Sequence, residues 1–228
     1  MSLIRWRGLA AMLGGLWCIL LTPIQAYIWA GADSPPLVLA ARPLLNLSGK
    51  IFATFGSWFG LEPYYFYGRM FFLVYVAAIS GLMGLHALQR DRGGREELWF
   101  HLVLISLALA LAGDIVAYWG GSGPIQDSPL QGLGFTVEML AVLAVLIGIM
   151  AYGRMTLRGD AVPGWVAWGL IAAGPAAVPM VYLTGYIPHG AMLPFSLGMA
   201  VVGYFLLQGV PKGMGPTNAE HSAHQTSA

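Results

Sequence analysis

Charge is scarce in this chain, and that scarcity excludes most soluble architectures. Lysine and arginine number 11, aspartate and glutamate 10, and charged residues make up 9% of the 228, against about 25% in an ordinary soluble domain. A net charge of +1 leaves no basic surface dense enough to follow a phosphate backbone, so no nucleic-acid partner is expected. Cysteine is rarer still. Cys18 stands alone, which rules out an intrachain disulfide and any cysteine-based metal site. Familiar chemical signatures are missing too: there is no phosphate-cradling glycine loop, no His-Glu-x-x-His and no nucleophile-elbow serine. No internal repeat stands out, so an inverted-repeat transporter is not expected either.

What the chain has instead is apolar length. Hydrophobic residues reach 57%, mean hydropathy is +0.69, and the apolar residues fall in blocks. Several blocks reach the roughly 20 residues that a helix needs to cross a hydrocarbon core of about 30 Å. Six spans are predicted, at about 8–30, 70–88, 98–119, 130–152, 164–187 and 191–207. Each is apolar on every side rather than alternating, which points to helices and not to the strands of a barrel. The expected fold is an all-α integral membrane protein, a single bundle of about six transmembrane helices over residues 1–210, followed by a disordered cytoplasmic tail at 211–228. Arg5 and Arg7 ahead of an apolar run also fit a cleavable leader, which would leave five spans. The run continues through Tyr27-Ile28-Trp29-Ala30, which suits a retained anchor better.

Orientation follows from the basic residues, which stay on the cytoplasmic side of span ends. An N-in, C-in arrangement places Arg5, Arg7, Arg90, Arg92, Arg95, Arg154, Arg158 and Lys212 inside and leaves Arg42, Lys50 and Arg69 outside. The expected location is a cell membrane, of the bacterial inner (plasma) membrane type. In the first outside segment, Leu44, Leu47, Ile51, Phe52, Phe55, Trp58 and Phe59 recur at helical spacing, with Asn46, Lys50, Thr54 and Ser57 between them. That pattern predicts an interfacial helix over about 43–60. Pro63-Tyr64-Tyr65-Phe66-Tyr67 then reads as an aromatic belt at headgroup depth.

Functional information concentrates in the polar residues inside the spans, because an ionisable side chain there is costly unless paired or wetted. Asp114 on the third span and Glu138 on the fourth lie at similar depth in antiparallel neighbours. Tyr118 shares a face with Asp114, and Gln131 and Gly134 share one with Glu138. Gln25, Arg69, Tyr182 and Thr184 reach the same level, with His189 in the turn above. These residues predict an outward-opening polar cavity bounded by Asp114, Tyr118, Glu138 and Tyr182, with Arg69 as counter-charge. Two close carboxylates would share a proton or bind a cation. Pro175 and Pro179 predict a kink or break in the fifth span.

His86 and His101, at similar depth across one loop, form a weak metal or haem candidate; as interfacial residues they contact headgroups. Nothing in the pattern names a cofactor. Three classes of function fit: a small transporter or solute-binding protein using the carboxylate pair, a membrane enzyme acting on a lipid or isoprenoid, and a non-catalytic subunit or assembly factor. The lipid bilayer is the expected partner, with a further membrane protein or a homo-oligomer as the other candidates.

Overall fold

A computed structural model describes residues 2–89, 94–121, 127–159 and 162–209. Arg90, Arg92, Lys212 and the 211–228 tail lie outside the described residues. Among those described the chain is all helix: α1 Leu3–Ala30, α2 Pro36–Leu39, α3 Arg42–Thr54, α4 Pro63–Arg69, α5 Phe72–Ala87, α6 Gly94–Trp119, α7 Pro129–Leu157, α8 Gly164–Thr184 and α9 His189–Gln208. Six stretches are long and apolar enough to cross a membrane: α1, α4 with α5, α6, α7, α8 and α9. This is the architecture of a multi-pass membrane protein.

The six spans close into a ring in chain order, because α9 returns to pack along α1. We call the end carrying residues 31–62 and 185–188 the upper end. Small residues set the closeness of the ring. A Cβ on Gly8 would lie 2.7 Å from the Gly203 carbonyl, and one on Gly203 would meet the Met12 amide and the Gly8 carbonyl. One on Gly15 would collide with the Ser196 carbonyl and Ala200. On the opposite side of the ring, a Cβ on Gly113 would lie 2.6 Å from the Glu138 amide, and one on Gly134 would lie 2.7 Å from that of Ala117. Backbones can approach this closely only where side chains are absent, the usual way that helices associate in lipid, where apolar burial alone drives little.

Large apolar side chains are abundant on the periphery, among them Leu13, Ile105, Leu140, Ile147 and Val178. The interior holds a second set, with Tyr75, Tyr118, Tyr152, Phe71 and Phe195 almost fully buried. Apolar inside and apolar outside is the pattern of a helix bundle whose solvent is hydrocarbon.

The fifth span corrects the expectation of a break. Helix α8 runs without interruption through Pro175 and Pro179. The two prolines are four residues apart and both are exposed, so the missing donors fall on one peripheral face and the packed face keeps its ladder. The helix ends at Gly185, whose φ of +62° is a left-handed conformation that favours glycine, with its amide donating to the Val181 carbonyl at 2.8 Å.

Candidate functional site

The close approach of Gly113 and Gly134 puts Asp114 and Glu138 side by side in the ring interior. From the opposite wall, α9 begins at His189, held by the Gly185–Pro188 turn, and α1 contributes Gln25. All four side chains are fully buried. Nε2 of His189 lies 2.9 Å from Oε1 of Glu138 and 3.6 Å from Oδ1 of Asp114. Its Nδ1 lies 2.7 Å from Oε1 of Gln25. The Tyr75 hydroxyl donates to the same Glu138 oxygen at 2.7 Å. Phe71 stacks on the imidazole, ring centroids 3.5 Å apart and planes within 10°, which fixes the plane of the histidine.

Three carboxylate oxygens are left without a hydrogen-bond partner: both of Asp114 and Oε2 of Glu138. The Gln25 amide nitrogen is likewise unpartnered. Buried polar atoms almost always find partners, so this concentration of bare oxygens beside one histidine stands out among the described residues. Two carboxylates this close in a medium of low dielectric constant cannot both stay ionised without a proton or a cation between them.

Above His189 sits a triangle of tyrosines. The hydroxyls of Tyr64, Tyr118 and Tyr186 are 3.1–3.3 Å apart in all three pairings, so each can donate to one and accept from another. The Tyr186 hydroxyl is also 3.5 Å from Nδ1 of His189. Burial pushes the Tyr186 phenol well above the usual tyrosine range, so it stays a neutral donor. Over this triangle lies a cavity of about 300 Å³, lined by Trp29, Tyr64, Tyr65, Phe135, Gly185, Tyr186 and Ile187. A hydrogen-bonded path of hydroxyls and one imidazole thus joins the cavity at the upper end to the carboxylates. Gly68 makes the path possible, since a Cβ there would run into the Tyr118 ring.

Of the residues expected from sequence, Asp114, Glu138 and Tyr118 come together. Tyr182 does not. It is 85% exposed, on the periphery of α8, because two positions separate it from buried Thr184 and two positions are about 200° around a helix. Tyr182→Ala should therefore leave unfolding stability in mixed micelles within about 0.5 kcal/mol of wild type; a larger loss would place the ring in the bundle.

Arg69 is not the counter-charge of Asp114. Its guanidinium donates to the carbonyls of Tyr118 at 2.8 Å and Gly121 at 3.1 Å and lies 5.1 Å from the Trp119 ring centroid. The last carbonyls of α6 have no partner within the helix, and a cation at that end satisfies them. His86 and His101 form no pair: His86 contacts Glu96 at 2.9 Å and stacks on Phe100, whereas exposed His101 donates to the Glu97 carbonyl at 2.9 Å.

His189 is the residue that sequence reasoning undervalued, having placed it above the site rather than at its centre. The signal was the polar Pro-His-Gly turn following Tyr186, at the level of Gln25. Tyr64, Tyr75 and Tyr186 were also passed over as members. Compared with protein-family models, curated proteins and solved structures, the chain matches none.

Proposed function

We propose that this protein handles a small cation, taking it from an outward-facing cavity at the upper end to the carboxylate pair of Asp114 and Glu138. The observation that carries the reading is the set of unpartnered, fully buried carboxylate oxygens around His189. Acceptor oxygens without donors favour a cation over an anionic or neutral solute. The aromatic cavity and the tyrosine triangle supply the approach. An arrangement with cytoplasmic termini puts eight of the 11 basic residues on the cytoplasmic side, which supports an outward-facing upper end in a plasma membrane.

In that orientation α3 lies on the outer leaflet. Leu44, Leu45 and Phe52 pack toward the bundle, while Leu47 and Ile51, with Phe55 and Trp58 just beyond the helix end, remain exposed to enter lipid. The Tyr67 hydroxyl, bonded to the Ser48 carbonyl, pins the helix to the bundle.

The test is flux in liposomes carrying the purified protein. Proton movement is read with an entrapped pH dye and zinc movement with an entrapped zinc indicator, with the membrane potential clamped. Wild type should pass one of the two ions faster than empty vesicles, and Glu138→Gln should lower that rate at least about tenfold. Equal rates for wild type and empty vesicles, or for wild type and Glu138→Gln, would overturn the reading.

A second reading, a non-catalytic membrane subunit, is favoured by one feature. A nearly wholly apolar groove of about 550 Å³ runs between α1 and α5, lined by residues including Leu13, Gly14, Trp17, Leu73 and Ala77. Such a groove suits a neighbouring helix. Native mass spectrometry of the gently extracted protein separates the two: a stoichiometric protein partner supports the subunit.

A further inference from the structure

We infer that Asp114, Glu138 and His189 together ligate a divalent transition-metal ion; this deepens the cation reading above and rests on it. Three helices, α6, α7 and α9, each deliver one donor group, and one ligand atom from each residue falls within 4.8 Å of the others. An ion about 2.0–2.2 Å from each ligand requires ligand atoms about 3.0–3.5 Å apart. The observed separations from Nε2, 2.9 Å to Glu138 and 3.6 Å to Asp114, bracket that range.

The acids alone would not carry this, since a structural pair could share protons. Two further observations point to a metal. The first is the number of bare acceptors: three buried carboxylate oxygens lack a hydrogen-bond partner, Asp114 Oδ1 having Nε2 of His189 no nearer than 3.6 Å. One shared proton would satisfy one contact among them and leave the rest. A dication satisfies several at once, and two carboxylates with one dication sum to no net charge, the state that costs least inside a bilayer.

The second observation is the outer support. Gln25 Oε1 at 2.7 Å can accept the Nδ1 proton of His189, so that a metal ion need displace only the proton that Nε2 shares with Glu138. Tyr75 donates to the Glu138 oxygen that also faces Nε2, and Phe71 holds the imidazole plane. Metal-binding histidines are oriented in this way, with the remote ring nitrogen tied to an oxygen acceptor. An imidazole with two carboxylates selects zinc, cobalt, manganese or iron over alkali ions. Three protein ligands leave a coordination position for water or for a passing solute.

The experiment uses the full chain in detergent, stripped with a chelator, loaded with cobalt(II) and desalted. Wild type should retain about one equivalent of cobalt, with visible absorption of a site of mixed nitrogen and oxygen ligands. Zinc should displace the cobalt. Asp114→Asn and His189→Gln should each weaken retention at least about tenfold, whereas exposed Glu62→Gln should not change it. Glu138→Asp, which keeps the charge, guards against a variant that merely fails to fold.

Wild-type protein that retains no cobalt overturns the inference, as does retention indifferent to Asp114 and His189. The two proposals fail separately. Glu138-dependent proton flux through a protein that holds no metal removes the metal and keeps the cation reading. Cobalt held by a protein that moves no ion keeps the metal site and removes that reading.

Discussion

His189→Ala should be the most damaging single change to stability, costing about 3–5 kcal/mol in an unfolding titration in mixed micelles. The substitution removes the group facing both carboxylates, strips Gln25 Oε1 of its partner, and leaves Phe71 stacked on a void. Negative charge then stays buried with only Tyr75 beside it, and the desolvation cost of Glu138 is no longer offset. Electrostatic origin makes a further demand. In a Glu138→Gln background the same histidine substitution should cost at least about 1 kcal/mol less, since residues of one hydrogen-bonded network are not additive. A full and equal loss in both backgrounds would assign the effect to packing. A cost under about 1 kcal/mol would mean that the cluster does not hold the α8–α9 turn in place.

Gly113→Ala is the second large effect, and it is steric. The added methyl carbon would lie 2.6 Å from the Glu138 amide nitrogen, 2.7 Å from the Gly134 carbonyl oxygen and 2.9 Å from the Glu138 Cα. All three obstacles are backbone, so no side-chain rotation relieves them and α6 must move away from α7. We expect a loss of about 1–3 kcal/mol or more from overpacking. Because Asp114 is the next residue, the move also pulls its carboxylate away from His189, so ion flux should fall along with stability.

Gly169→Ala provides the contrast. Nothing lies within 4 Å of a Cβ there, and alanine in a helix interior is favoured over glycine by about 0.5–1 kcal/mol. That variant should be neutral or slightly more stable. Equal losses at positions 113 and 169 would remove the argument from backbone approach.

The two effects describe one construction. Glycines let α6 and α7 meet at backbone distance, which sets two carboxylates side by side. The ring closure of α9 on α1, through Gly8, Gly15 and Gly203, then swings His189 and Gln25 over them from the far wall. The acids come from neighbours in sequence and the histidine from the end of the chain, 51 residues beyond Glu138 and 164 beyond Gln25.

That difference in distance governs what was legible in advance. Apolar blocks of spanning length determined by themselves that six spanning stretches form as helix, since hydrocarbon leaves a backbone no partner but its own helix. The level of Asp114 and Glu138 could be counted from span ends, because two antiparallel helices joined by a short loop share a depth scale. Rotation about each helix axis was another matter. Depth is linear in residue number, but facing depends on which neighbour packs where, and in spans apolar all round no hydrophobic stripe reports it.

Tyr182 was therefore placed in the cavity by depth, although it faces outward. Arg69 was assigned to the nearest acid, although the open carbonyls at the end of α6 held it more closely. His189 was at the right level, but only closure of the ring could bring it onto Asp114 and Glu138. Composition and the apolar blocks thus decided solvent, the number of spans and the depth of the polar groups. Tertiary packing decided which of those groups meet, because only the contact between the first and last helices fixes the azimuth of every side chain between them.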